Sequence, residues 1–159
     1  MRAAVLTVSD GVARSDREDA SGELLEELLA ADGWMVERRL VADELDDIAA
    51  SLRELAGEGG LVLTTGGTGF GPRDVTPEAT RSVLEREAPG IAEAIRADAI
   101  ARTPHGMLSR GIAGTLGGAL IVNLPGSPGA CRDGWNTMRA AVGHAVELLA
   151  EQTTAHRQT

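Results

Sequence analysis

Residues 61–78 read LVLTTGGTGFGPRDVTPE, an apolar run that leads through a glycine-rich loop into a predicted helix. We expect this helix to begin at Thr76-Pro77-Glu78, which supplies a cap, a first-turn proline and an early carboxylate in order. In open α/β sheets, ligands bind beyond the carboxyl ends of the strands, where such a loop lies. Glycines leave room for backbone N–H groups to converge on an anion, although a turn required only by backbone geometry is the alternative.

Two common phosphate-binding motifs are excluded for this loop. All 15 basic residues of the chain are arginines, so the lysine of a Walker loop is missing. Gly67, Gly69 and Gly71 give the spacing G-x-G-x-G, whereas a dinucleotide site needs G-x-G-x-x-G. The absence of lysine also excludes a Schiff base. The loop is therefore typical of a phosphate site that belongs to neither class.

Outside this stretch, short apolar runs alternate with helical patterns, which predicts an α/β domain with a mostly parallel sheet and helices on both faces. We predict strands at residues 3–8, 34–40 and 61–64, and a β-hairpin whose arms, 112–116 and 119–123, flank Gly117-Gly118. A first helix is predicted after an N-cap at Ser21, and a second helix begins with Leu45. The helix that begins at Thr76 is predicted to stop at Pro89-Gly90, and the next helix is marked by Ile91. The last predicted helix is long and turns four residues inward: Met138, Val142, Val146 and Leu149. Residues 1–152 are predicted to form one domain, and residues 153–159 a frayed tail.

The composition favours a globular protein that does not bind nucleic acid. A net charge of −9 repels phosphate backbones, and 2% aromatic residues leave few platforms for base stacking. Cys131 is the single cysteine, and His105, His144 and His156 lack zinc spacing. The N-terminal apolar run is too short for a signal peptide, and no stretch reaches the length of a membrane span. We therefore expect a cytoplasmic protein without a membrane partner.

Residues 64–80, TTGGTGFGPRDVTPEAT, resemble the signature of the MogA/MoaB molybdopterin-binding family, which includes the first domain of gephyrin and the plant Cnx proteins. Further segments resemble that family in the same order: TVSDG at 7–11, SG at 21–22, VADE at 41–44, LSRGIAG at 108–114 and NLPGSPGA at 123–130. The NLPGSP form is closer to the adenylyltransferase branch than to MoaB-type sequences. One departure is Ala20, where relatives usually carry a basic residue, and we expect it to affect the rim of the pocket.

The resemblance implies a three-layer α/β/α domain that adenylylates molybdopterin with Mg-ATP and releases pyrophosphate. Such phosphoryl chemistry requires mainly positioning and charge neutralisation. The essential aspartates of the family fall on Asp43 and Asp74, which are expected to bind Mg²⁺; the alternatives are an N-cap for Asp43 and a turn carboxylate for Asp74. The implied substrate-binding residues are Ser9, Asp10, Gly11, Thr65, Gly66, Gly67, Thr68, Gly69, Arg73, Asn123, Leu124, Pro125, Gly126 and Ser127. For Arg73 a solvated loop charge, and for Asn123 and Pro125-Gly126 a strand end and a turn, are the alternatives.

Four further expectations concern the alternative function, the partners and the arginines of the C-terminal third. A MoaB-like carrier or scaffold that binds molybdopterin without turnover is the alternative function. The resemblance also implies a homotrimer, and it allows transfer of the product to a molybdate-insertion enzyme. Between Asp98 and Glu147 the chain has one acid, Asp133, among four arginines, which predicts either an anion site or a subunit interface. These arginines are Arg102, Arg110, Arg132 and Arg139.

Overall fold

The computed structural model describes residues 1–156, with side chains through Glu151. In chain order the elements are β1 (Arg2–Val8), α1 (Asp10–Ala13), α2 (Ala20–Ala31), β2 (Met35–Val41), α3 (Leu45–Gly57), β3 (Gly60–Thr65), α4 (Thr76–Arg81), β4 (Arg86–Glu87), α5 (Pro89–Arg102), a 3₁₀ turn (Pro104–Leu108), β5 (Ala113–Leu116), β6 (Ala119–Leu124) and α6 (Pro128–His156).

The strands form one mixed sheet in the order β2-β1-β3-β6-β5-β4. The first four of these are parallel, and β5 pairs antiparallel with both β6 and β4. After β1 the chain moves outward to β2 and then returns across β1 to β3, so the strand order reverses between β1 and β3. In an open α/β sheet, this reversal leaves a crevice outside the carboxyl ends of the two strands.

Helices cover both faces of the sheet, which confirms the three-layer α/β/α architecture. Successive residues of a strand point to opposite faces, so Val5 and Leu63 enter one core while Leu6 and Val62 enter the other. The first core is closed by α2, α5 and α6, and the second by α3 and α4. Because β1 and β3 are covered on both sides, they are apolar along nearly their whole length.

Most predicted elements are confirmed, including the hairpin, which turns at Gly117 with φ 54°. The four predicted inward residues of the last helix are all buried: Met138, Val142, Val146 and Leu149. Helix α6 is assigned through His156, so the predicted frayed tail at 153–159 overlaps its end. Residues 157–159 lie outside the described residues, and the tail remains a prediction. Within residues 1–156, no helix is both long and apolar enough to cross a membrane.

Two predicted helix boundaries and one predicted cap are wrong, each for a local reason, whereas α4 begins at Thr76 as predicted. Helix α2 is capped by Asp19 rather than Ser21, because the Asp19 carboxylate accepts the Gly22 N–H at 3.0 Å. The Thr76 hydroxyl does not cap α4; it donates to the Gly66 carbonyl at 2.9 Å. Pro89 does not stop a helix but begins α5, since a proline at the first position loses no hydrogen bond.

Candidate functional site

A cleft of about 600 Å³ opens at the carboxyl ends of β1 and β3, where the strand order reverses. Its walls come from four parts of the chain: the segment between β1 and α2, the start of the glycine-rich loop, the loop that leads into α6, and two aspartates. The predicted site residues that line it are Ser9, Asp43, Thr65, Gly66, Gly67, Asp74, Gly126 and Ser127. The fold thus brings together loops that lie more than a hundred residues apart in the sequence.

Asp10 and Asp43 are joined by two hydrogen bonds, in each of which the backbone N–H of one residue donates to the carboxylate of the other. The Asp10 N–H donates to Asp43 Oδ2 at 2.8 Å, and the Asp43 N–H donates to Asp10 Oδ1 at 3.0 Å. Helix α3 takes Glu44 as its N-cap, with no side-chain cap, so the N-cap alternative for Asp43 is wrong. The carboxylate of Asp43 is instead oriented by backbone toward the cleft.

The Arg73 guanidinium forms ion pairs with two acidic side chains of the protein. Its guanidinium donates to Asp10 at 3.0 and 3.2 Å and to Glu44 Oε1 at 2.6 Å. This guanidinium, together with the Asp43 amide, holds the pKa of Asp10 below its ordinary value. Arg73 therefore joins the glycine-rich loop to the first residue of α1 and to Glu44, and its predicted contact with a phosphate stays a prediction.

The carboxylate of Asp43 has a raised pKa. Burial is the main cause, and the negative charges of Asp10 and Asp74 add to it, against the opposing Asp10 amide. Asp74 contributes the second carboxylate of the cleft wall. Two such groups facing one space favour a cation between them, and Mg²⁺ is typically bound by one or two carboxylates together with substrate phosphates. Among the described residues no group of three or more potential metal ligands exists.

Asp74 also shapes the loop that precedes it. Its Oδ2 accepts the Gly71 N–H at 2.8 Å, while its own N–H donates to the Gly71 carbonyl at 3.0 Å. A Cβ on Gly69 or Gly71 would approach Asp74 Oδ2 to 2.9 Å, so a larger residue at either position would displace this carboxylate. The turn-carboxylate alternative for Asp74 is thus correct, and it coexists with the placement of Asp74 in the cleft wall.

The glycine-rich loop exposes backbone amides at the cleft. Gly66 and Gly67 have φ values of 99° and 64°, and a Cβ on Gly66 would lie 2.3 Å from the Val8 carbonyl. Gly66 uses its N–H on the Leu124 carbonyl at 3.2 Å. The Gly67 N–H has no acceptor among the described residues and remains available to an anion. The next two residues of the loop bind Arg110: the Thr68 carbonyl accepts its backbone N–H at 3.0 Å, and the Gly69 carbonyl accepts its Nε–H at 2.7 Å.

Residues 126–128 form another part of the cleft wall, at the N-terminus of the 29-residue helix α6. Ser127 accepts the Ala130 N–H with its hydroxyl and the Cys131 N–H with its carbonyl. Gly126 packs tightly against the glycine-rich loop, because a Cβ there would lie 3.3 Å from the Gly66 Cα. A helix N-terminus presents partial positive charge, so this wall favours a negatively charged group.

Several predicted site residues are structural. Asn123 is buried: its amide donates to Thr64 at 3.0 Å and Thr80 at 2.9 Å, and its oxygen accepts the Ile112 N–H at 3.2 Å. Leu124 belongs to the core. These two side chains therefore do not reach the cleft.

Thr65 has a mainly structural role although it borders the cleft. Its buried hydroxyl donates to the Pro125 carbonyl at 2.9 Å and lies 3.3 Å from Cys131 Sγ. Burial raises the pKa of Cys131 to about 11, so its thiol stays protonated at neutral pH and is a packing group. Thr65 thus fixes the loop that leads into α6.

Two residues of the segment just before α2 and two at the start of α2 line the cleft, although none was predicted as a site residue. Arg17, Glu18, Ala20 and Ser21 all line the cleft. Ala20 was singled out only as a departure from the family, and its place at the cleft agrees with the expected effect on the rim. The segment lacks secondary structure and periodicity, so no pattern pointed to Arg17. Gly11, which was predicted as a site residue, lies beneath the Arg17 side chain.

The four arginines between Asp98 and Glu147, from which an anion site or a subunit interface was predicted, do not belong to this cleft. None of them lines the cleft. Arg102 pairs with Asp98 and Asp133, and Arg139 pairs with Asp32. Arg110 pairs with Glu78 and donates to the Asp74 carbonyl. These side chains tie elements together, because acids distant in sequence come close to them in the fold.

The family model described as a probable molybdopterin binding domain matches residues 4–144. The Drosophila melanogaster "molybdenum cofactor synthesis protein cinnamon" is 42% identical over 159 aligned residues, which cover 98% of this chain and 26% of that protein. A Helicobacter pylori molybdopterin adenylyltransferase is 37% identical over 91% of this chain and 85% of its own length. The crystal structure of the molybdopterin biosynthesis enzyme MoaB from Thermus thermophilus superposes with a TM-score of 0.87 at 44% identity, covering 93% of this chain and 95% of that one.

Proposed function

This chain belongs to the family of probable molybdopterin binding domains, and on that premise we propose that it is a molybdopterin adenylyltransferase of molybdenum cofactor biosynthesis. One observation carries the proposal: the cleft combines a free backbone amide, a helix N-terminus and two carboxylates at the carboxyl edge of the sheet. The amide and the helix N-terminus suit phosphates, and the carboxylates suit the divalent cation that accompanies ATP. Relatives that carry the adenylyltransferase name match nearly the whole chain.

In the proposed reaction, a terminal phosphate oxygen of molybdopterin forms a bond to the α-phosphorus of ATP. The bond between that phosphorus and the bridging oxygen to the β-phosphate breaks, and pyrophosphate leaves with the electron pair. The protein supplies no nucleophile of its own, which agrees with the buried, protonated thiol of Cys131. Its task is to position two polyanions against each other and to neutralise their charge.

Different residues of the cleft position the two substrates and neutralise their charge. The Gly67 amide and the N-terminus of α6 at Ser127 bind phosphate oxygens, and the Ser9 and Gly66 positions shape the space between them. Asp43 and Asp74 would hold Mg²⁺, since their mutual repulsion is relieved by a cation. A bound Mg²⁺ supplies shielding of the phosphate charges. Asp10 and Arg73 keep Asp43 oriented through the hydrogen bonds described above.

The test is turnover by the purified protein with molybdopterin and Mg-ATP, followed by mass spectrometry for adenylylated molybdopterin and by a pyrophosphate assay. We expect Asp74→Asn to keep pterin binding and to lose about a hundredfold or more in turnover, the scale of removing a preorganised electrostatic group. Asp47→Asn, a change at an exposed aspartate in the first turn of α3, is the matched control. Removal of Mg²⁺ with a chelator should abolish transfer; transfer that persists in chelator would show that the carboxylates act otherwise.

A MoaB-like carrier that binds molybdopterin without turnover is the alternative function that the sequence leaves open. A carrier needs the phosphate-binding amides but neither aspartate. The two functions separate in one experiment: the carrier binds molybdopterin with unchanged affinity in the double variant Asp43→Asn/Asp74→Asn, and it produces no pyrophosphate in any variant.

We also propose that the protein is a cytoplasmic homotrimer that transfers its product to a molybdate-insertion enzyme. Support for assembly comes from α5 and the following 3₁₀ turn, where large apolar side chains remain exposed: Ile100, Met107 and Leu108. An apolar patch of this kind is typical of a subunit interface. Light scattering coupled to size-exclusion chromatography tests the trimer, and Met107→Asp should dissociate it.

A further inference from the structure

Arg17 is the one basic residue that lines the cleft within the described part of the chain. It is exposed, and its guanidinium makes no hydrogen bond or ion pair with any described residue. Neighbouring arginines are different: Arg14 pairs with Asp16, Arg38 with Asp19 and Glu26, and Arg73 with Asp10 and Glu44. The nearby acids Asp16 and Asp19 are thus used by other cations, and the charge of Arg17 is left free.

The position of Arg17 is fixed by the backbone around Gly11. The Arg17 N–H donates to the Gly11 carbonyl at 3.2 Å, and the Asp16 N–H donates to the same carbonyl at 2.8 Å. The guanidinium lies against Gly11, where a Cβ would approach its Nε to 3.1 Å and its Nη2 to 3.4 Å. The absence of a side chain at Gly11 therefore makes room for the arginine beside the cleft.

The other charged residues of the cleft indicate which ligand the unpaired guanidinium of Arg17 can bind. The ionisable residues that line the cleft besides Arg17 are Glu18, Asp43 and Asp74, all acidic. A polyanionic ligand meets net negative charge there unless a cation and Arg17 are both present. A guanidinium offers two parallel N–H groups, which match two oxygens of a phosphate.

We propose that Arg17 is a phosphate-binding residue of this cleft and donates to the non-bridging oxygens of a substrate phosphate. The phosphate belongs either to ATP or to the pterin; that identification rests on the proposed function, whereas the phosphate chemistry rests on the cleft itself. Arg17 touches ligand and performs no proton transfer, because a guanidinium does not lose its proton in proteins.

Calorimetric titration with Mg-pyrophosphate tests the phosphate chemistry without turnover. We expect Arg17→Gln to weaken binding about tenfold, as the loss of a charged hydrogen-bond donor does, and Arg17→Lys to recover part of the loss. Arg14→Gln is the matched control, because Arg14 lies in the same segment, pairs with Asp16 and does not line the cleft. Equal affinities of the wild type and Arg17→Gln would overturn the proposal.

Kinetics then identify the phosphate. A raised KM for ATP with an unchanged KM for molybdopterin assigns Arg17 to the nucleotide, and the reverse assigns it to the pterin; unchanged values for both overturn the proposal. If the wild type forms no adenylylated molybdopterin but Arg17→Gln still weakens pyrophosphate binding by the same factor, the proposed function fails while the role of Arg17 stands.

Discussion

Replacement of Asn123 by alanine separates a structural role from a ligand-binding role at a residue that the family resemblance assigned to the substrate. The wild-type side chain makes three hydrogen bonds, to Thr64, to Thr80 and from the Ile112 N–H. Each intramolecular hydrogen bond contributes about 1 kcal/mol to stability, so alanine should cost about 3 kcal/mol. With a urea dependence of about 2 kcal/mol/M, the unfolding midpoint should fall by about 1.5 M.

The assay is urea denaturation followed by tryptophan fluorescence, since Trp135 is buried in the core. Asn136→Ala, at an exposed position of α6, is the matched control, and it should change stability by only a few tenths of a kcal/mol through helix propensity. The KM values of the folded Asn123→Ala protein should equal those of the wild type. A variant of unchanged stability with a much higher KM would refute this reasoning, because Asn123 would then act on ligand.

Three further predictions follow from the contacts described above. Gly66→Ala should lower the free energy of unfolding, measured by urea denaturation, by at least about 1–2 kcal/mol, because a φ of 99° is strained for alanine and the new Cβ would lie 2.3 Å from the Val8 carbonyl. Gly129→Ala is the control, because the space around Gly129 is open and this change should not destabilise the protein. Glu78→Gln should lower the free energy of unfolding by about 0.5 kcal/mol at pH 7. Because Arg110 lowers the pKa of Glu78, this contribution is present above the ordinary value of 4.5 and disappears as the pH falls through the lowered pKa. A difference in stability from the wild type that persists at about pH 3 or below would contradict this prediction. Trp135→Phe should cost at least about 1 kcal/mol, as measured by thermal unfolding, because it removes the Nε1–H bond to Asp32 at 2.9 Å and leaves buried space unfilled. Asp32→Asn should cost less, because its amide oxygen still accepts from Trp135 and the pair that it loses with Arg139 is exposed.

The fold was largely predictable because its determinants are local. Apolar runs such as residues 61–63 mark strands that are covered on both faces, and the Gly117-Gly118 pair between two short strands marks a hairpin. The helix boundaries were less predictable. Asp19, Ser21 and Thr76 are all plausible caps by residue type, and only the position of nearby partners decides which of them bonds to a helix amide.

The candidate site was predictable in its backbone and less so in its side chains. Gly66 and Gly67 follow β3 directly, so their place at the edge of the sheet comes from the strand itself, and Asp74 lies at the far end of the same loop, before α4. Asn123 ends a strand in the same way, but β6 turns its side chain toward α4, and alternation along a strand decides this direction. Arg17 was missed because its segment has no periodicity, and its role depends on which acids are taken by Arg14 and Arg38.

The net charge of −9 does not oppose the binding of phosphates in this protein. Charges interact strongly only within a Debye length, about 8 Å at physiological ionic strength, so the relevant balance is that of the cleft. There, Asp10 is neutralised by Arg73, and Asp43 and Asp74 repel each other unless a cation lies between them. If these two acids bind a cation as proposed, the cleft would change from repulsive to attractive for a phosphate. Metal and nucleotide should therefore bind cooperatively, because neither alone relieves the charge that the other one brings.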